Sequence, residues 1–133
     1  MKKTIYGSLY TKSLPRGCLL CQRGAKLVLF VTGLCPGNCF YCPLSPQKKG
    51  RDVVFANELF VEKPSQVLEE ARLMDAEGTG ITGGDPLLRL SRTTEYIRLL
   101  KEEFGKKHHI HLYTTALTLG EEEVKAVSYT HLR

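Results

Sequence analysis

The sequence predicts an α/β fold with parallel strands, and three observations carry that expectation. An uninterrupted apolar run, Lys26-Leu27-Val28-Leu29-Phe30-Val31-Thr32, reads as a strand buried on both faces. Two segments of helical period follow, at about 64–76 and 91–104. Each leads into a further short strand candidate. Strands alternating with helices imply parallel pairing with right-handed crossovers, and they place ligands at the carboxyl ends of the strands.

Taken in order, residues 1–24 read as irregular, because Gly7, Pro15, Gly17 and Gly24 break any period. The first strand ends at Gly33, and residues 33–50 form a loop rich in Gly, Pro and Cys. A short extended piece is expected around Val53-Val54-Phe55. Pro64 suits the first turn of the first helix and Gly78 its end, with Val67, Leu68, Ala71 and Met74 on one face. Thr79 to Thr82 forms the second strand and runs into Gly83-Gly84-Asp85-Pro86. Ser91 is the expected cap of the second helix. Thr93, Ile97, Leu100 and Phe104 lie along one of its sides, and Gly105 stops it. Ile110 to Thr115 makes the third strand, after which Thr118 and Glu121 match a capping box opening a third helix.

Length and charge bound the function. At 133 residues the chain suits one domain with a real core, and a complete eight-unit barrel of about 250 residues cannot fit. The net charge is +5, but the basic residues are scattered. The runs Lys48-Lys49-Gly50-Arg51 and Lys106-Lys107-His108-His109 read first as solvated loops, which speaks against a nucleic-acid surface. Neither a membrane span nor a secretory signal is found, so a cytoplasmic location is expected. In that compartment thiols stay reduced, and five cysteines suggest metal binding or catalysis before disulfides.

The cysteines are spaced Cys18-x2-Cys21, then Cys35-x3-Cys39-x2-Cys42. Soft thiolates at such spacings select zinc, copper(I) or iron–sulfur clusters. Cys18, Cys21, Cys39 and Cys42 could form a zinc ribbon, the core of a binding module with a basic nucleic-acid-binding surface. That grouping leaves Cys35 idle and runs an apolar strand between the two knuckles. Alternatively, Cys35, Cys39 and Cys42 hold a 4Fe–4S cluster and leave one iron open for a substrate.

Cys35-Pro36-Gly37-Asn38-Cys39-Phe40-Tyr41-Cys42 resembles the CxxxCxxC cluster loop of the radical S-adenosylmethionine (radical SAM) enzymes. It follows the first strand and has the aromatic residue, Tyr41, that the family places before the third cysteine. About 40 residues on, Gly83-Gly84-Asp85-Pro86 resembles the family's GGE-type motif, with Asp for the commoner Glu. Alone, that segment would read as an ordinary turn. Tyr113-Thr114-Thr115-Ala116 loosely resembles another strand end that contacts the cofactor.

The resemblance implies the amino-terminal half of a partial (β/α)6 TIM-like barrel, truncated after three of six strands. Cys35, Cys39 and Cys42 would carry the 4Fe–4S cluster. Tyr41 would lie near the adenine of S-adenosylmethionine, with Gly83, Gly84, Asp85 and Thr114 also contacting that cofactor. The implied reaction is reductive cleavage of S-adenosylmethionine to a 5′-deoxyadenosyl radical, which abstracts hydrogen from a small-molecule or protein substrate. A donor such as ferredoxin or flavodoxin would supply the electron. The overall flavour resembles activases of glycyl-radical enzymes. Cys18 and Cys21 are left as a second metal site, a redox pair or unligated loop thiols.

On this reading residues 1–24 are an extension with a CxxC pair, and residues 25–125 are an incomplete barrel core. Residues 126–133 read either as a modest strand or as a translated transposon-end sequencing adapter, which Val127 through Arg133 match without mismatch. They are expected to be a non-native tail. The fingerprint Gly78-x-Gly80-x-x-Gly83 is set aside as a dinucleotide site because it follows a helix and contains the strand itself. His108, His109 and His111 are expected as exposed loop residues, with His109 and His111 on one side. Glu121-Glu122-Glu123 fits a helix amino terminus.

Overall fold

A computed structural model describes residues 1–128 and 130–132. The chain opens on a small antiparallel hairpin, β1 (Lys2–Lys3) and β2 (Leu9–Tyr10), followed by helix α1 (Arg16–Gln22). Both elements depart from the irregular segment expected. Pro15 and Gly24 do not break the helix but delimit it: Pro15 is extended at its start, and Gly24 takes a left-handed φ of 68° just beyond its end.

The main sheet has six strands in the order β5-β4-β3-β6-β7-β8. Its centre is β3 (Lys26–Phe30), β6 (Gly78–Thr82) and β7 (His109–Leu112), all parallel, with Leu27 opposite Thr79 and Ile81 opposite Leu112. The third strand is shorter than expected, ending at Leu112 rather than Thr115. Next to β3, the strands β4 (Phe55–Ala56) and β5 (Leu59–Phe60) pair antiparallel, so the sheet is mixed rather than all parallel. On the other edge β8 (His131–Leu132) pairs parallel with β7.

The connections are α2 (Pro64–Leu73), α3 (Leu90–Phe104) and α4 (Glu121–Val127). Alternate strand residues Leu27, Leu29, Ile81, Ile110 and Leu112 meet Val67 and Ala71 of α2 and Ile97 and Leu100 of α3 in the core. Burying each such side chain contributes roughly 1.5–3 kcal/mol. Only that face of β3 is fully packed. Val28, on the other face, is 44% exposed, which corrects the strand buried on both sides.

Helix starts also differ from the expected ones. Asp85, not Ser91, caps the turn before α3, accepting the Leu87 N–H at 3.0 Å, and Ser91 falls inside the helix. At α4 the reciprocal bond runs from the Gly120 N–H to Glu123 at 2.9 Å, in place of the Thr118–Glu121 pair. Of the expected tail, Tyr129 and Arg133 lie outside the described residues. Residues 126–127 finish α4, where Val127 is buried.

Candidate functional site

The candidate site is assembled where β3, β6 and β7 end. Past β3, residues 32–34 run beside residues 83–85: Gly84 N–H donates to Thr32 O at 2.8 Å and Asp85 N–H to Leu34 O at 2.7 Å. The contact is so close that a Cβ on Gly84 would lie 2.1 Å from Leu34 O, so only glycine fits there. Cys35 therefore leaves from a backbone clamped against Gly84.

The cysteine loop is closed at its base. Gly33 N–H donates to Arg51 O at 2.7 Å and Gly50 N–H to Gly33 O at 2.9 Å. A Cβ on Gly33 would sit 1.7 Å from Lys48 O. Beside this neck, Thr32 donates its hydroxyl to Asp52 at 2.8 Å, while Arg92 at 2.6 Å and Arg89 at 2.9 Å grip the same carboxylate. The Arg92 guanidinium, helped by Arg89 and the Thr32 hydroxyl against the cost of partial burial, holds the Asp52 carboxyl well below the usual range. Asp52 thus ties the end of the loop to α3.

Within that frame Cys35, Cys39 and Cys42 line one cavity of about 270 Å³ with Gly83, Gly84 and Thr115. Tyr41 and Lys49 line it too. None of the five cysteines is in a disulfide. The Cys35 and Cys39 sulfurs both lie 3.7 Å from where a Gly37 Cβ would be, so the two thiols flank the same glycine. Three thiols on one cavity fit a soft metal centre in donor type. Among the described residues no three Cys, His, Asp or Glu side chains converge on a metal position. The Tyr41 hydroxyl sits beside Cys39, which raises its titration above the ordinary tyrosine value, and the Phe40 ring meets the Tyr41 ring edge-on at 5.1 Å.

Two expected cofactor residues, Asp85 and Thr114, stand next to residues of the cavity wall without lining it. Asp85 is fully buried and does not line the cavity. Its carboxylate takes hydrogen bonds from Thr114 Oγ1 at 2.9 Å, the Thr115 N–H at 3.1 Å and Thr115 Oγ1 at 2.5 Å, besides the Leu87 N–H. Thr114 turns toward Asp85, and its neighbour Thr115 reaches the cavity instead. That residue stands in the same strand-end motif, one position along.

Cys18 and Cys21 lie on α1 and line a separate cavity with Lys26 and Tyr113. The four-cysteine ribbon is therefore not assembled among the described residues. The histidines are not exposed loop residues: His108 is 3% and His111 1% exposed. His109 and His111 do share a side, with rings 4.5 Å apart. His108 pairs with Thr79 Oγ1 at 2.8 Å, and its burial, with Lys101 nearby, pushes its pKa down to about 4.

No helix among the described residues is long and apolar enough to cross a membrane. A sequence model of the radical SAM superfamily matches residues 29–131. A protein of Methanocaldococcus jannaschii, provisionally named a glycyl-radical enzyme activating enzyme, is 48% identical over 119 residues. That stretch is 90% of this chain and 32% of the relative, so the chain spans about a third of the length of the relative it matches. No solved structure matches the chain significantly.

Proposed function

Because the chain belongs to the radical SAM superfamily, we propose that it carries the cofactor end of an activase-like enzyme, with Cys35, Cys39 and Cys42 holding a 4Fe–4S cluster. When bound, cluster and S-adenosylmethionine supply reductive cleavage of the carbon–sulfur bond and a 5′-deoxyadenosyl radical that takes hydrogen from the substrate. The observation that carries this reading is the shared cavity, where three thiols face Gly83, Gly84 and Thr115 at the carboxyl edge of parallel strands.

The chain's own residues have distinct parts. Gly83 and Gly84 present bare backbone to the methionine end of S-adenosylmethionine, with the Thr115 hydroxyl beside them. Tyr41 offers a ring to the adenine. Asp85 is assigned a positioning part rather than a ligand's, because its acceptor sites are taken up by Thr114, Thr115 and the Leu87 N–H. β3, β6 and β7 are taken as the first parallel strands of the partial barrel. The relative's name supports a protein substrate, a glycyl-radical enzyme, and a one-electron donor such as ferredoxin or flavodoxin.

Anaerobic reconstitution of the full-length gene product with iron and sulfide tests the reading. A brown protein with about four irons, which cleaves S-adenosylmethionine on reduction, is expected. A colourless protein that takes up zinc and no iron overturns it.

A further inference from the structure

We propose that the sheet face opposite the helices carries an anion-binding subsite built from Lys26 and Tyr113, fitted to a carboxylate or phosphate group on a small molecule. Side chains alternate along a strand. With Leu27, Leu29, Ile81, Ile110 and Leu112 turned to the helices, Lys26, Gly80 and Tyr113 share the other face. Lys26 opens β3 at one corner of that face, and Tyr113 follows β7 at another.

The two meet over the middle strand. A Cβ on Gly80 would lie 3.1 Å from Lys26 Cε, 3.4 Å from its Nζ and 3.5 Å from the Tyr113 ring. The glycine is the gap through which they approach. Lys26 Nζ donates to the Tyr113 oxygen at 3.2 Å and lies 5.4 Å from the ring centroid. An ammonium has no lone pair, so the tyrosine oxygen is the acceptor here, and its own proton is directed elsewhere. Two further ammonium protons are also left to donate.

Among the described residues no carboxylate forms an ion pair with Lys26. Glu77, tied through its backbone N–H to Ala25, gives its carboxylate to Arg23 at 2.9 Å. The paired donors front a cavity of about 500 Å³, walled also by Tyr6, Leu14, Cys18 and Cys21. A cation and a hydroxyl converging on such a space select an anionic head, and the mixed wall suits a less polar body. The site shares no lining residue with the cysteine-loop cavity.

Reductive methylation of the full-length protein, read peptide by peptide by mass spectrometry, tests the proposal. Inorganic phosphate or acetate replaces chloride at constant ionic strength. Labelling of Lys26 is expected to fall, while that of the exposed Lys2 and Lys3 stays level. The anion that protects tells a phosphate head from a carboxylate one. Tyr113→Phe should raise the midpoint for protection about ten- to a hundredfold, as loss of one hydrogen bond to a charge implies. Gly80→Ala should act in the same direction by parting the pair, with thermal melts showing that each variant is folded. If Gly80→Ala does not fold, Tyr113→Phe carries the test alone. Equal falls at Lys26 and Lys2, no protection by either anion, a Lys26 that is unreactive throughout, or an unchanged midpoint in the folded variants would overturn it. The readout needs no metal, so its failure leaves the cluster reading standing, and a colourless reconstituted protein leaves this site standing.

Discussion

Asp85 Oδ2 accepts the backbone N–H of Thr115 at 3.1 Å, joining the end of β6 to the chain just past β7. The same carboxylate takes both threonine hydroxyls and the Leu87 N–H. A carboxylate offers about four acceptor positions, and here this chain fills them. Asp85 thus holds Thr115 at the cavity wall.

Asp85→Ala should therefore cost about 2–4 kcal/mol in urea unfolding, since it strands several buried donors at once. Asp85→Glu, which restores the commoner acid of the motif, should still cost about 1–3 kcal/mol, because an extra methylene must enter a fully packed position. A glutamate variant as stable as the parent would mean that the pocket around Asp85 is looser than its burial indicates.

The cysteine loop depends on Asp52 in a comparable way. Asp52→Asn keeps the shape but removes the charge that Arg89 and Arg92 share. A loss of about 1–2 kcal/mol is expected, with faster amide exchange at Gly33 and Gly50 as the neck of the loop loosens. The depressed Asp52 pKa sets the pH at which the parent loses the same support. Its contribution is complete above the unfolded carboxylate value near 4 and declines as pH falls below it.

How much of this is legible in the sequence follows from how far apart the partners lie. The three central strands and the helices between them are local patterns of burial, and the residues carrying them are contiguous. The cavity residues Cys35, Cys39, Cys42, Gly83 and Gly84 are legible because each sits in a short motif. Asp52 has no such signal: its partners Thr32 and Arg92 are 20 and 40 residues away, and only the fold brings them together. The α1 helix is hidden for another reason, since Pro15 and Gly24 mark its ends yet look in sequence like breaks within it. The histidines mislead because the polar run before β7 hides a strand whose residues are all buried.

His108 supplies a pH window distinct from that of Asp52. Burial lowers its pKa to about 4, against about 6.5 in the unfolded chain. Between those values the unfolded chain holds a proton that the folded chain does not, so stability falls as pH drops from 6.5 toward 4. The loss should reach at most about 3 kcal/mol. In His108→Gln, urea midpoints measured across this range should change less with pH than in the parent. An equally steep dependence would assign the window to another group.

The two cysteine groupings make opposite demands on single substitutions. Cys35 belongs to the cluster set and has no part in the four-cysteine ribbon. Cys18 and Cys21 belong to the ribbon, and α1 carries them to a different cavity. After anaerobic reconstitution, Cys35→Ser should lose most of the bound iron, and Cys18→Ser and Cys21→Ser should retain it. Cys39→Ser and Cys42→Ser should lose the bound metal under either grouping and so serve as positive controls. Thermal melts of the metal-free variants separate loss of ligation from loss of fold. The exposed Cys35 side chain packs against little, and its serine variant should melt within a degree or two of the parent. Retained iron in Cys35→Ser, together with its loss in Cys18→Ser, would move the metal to the ribbon grouping.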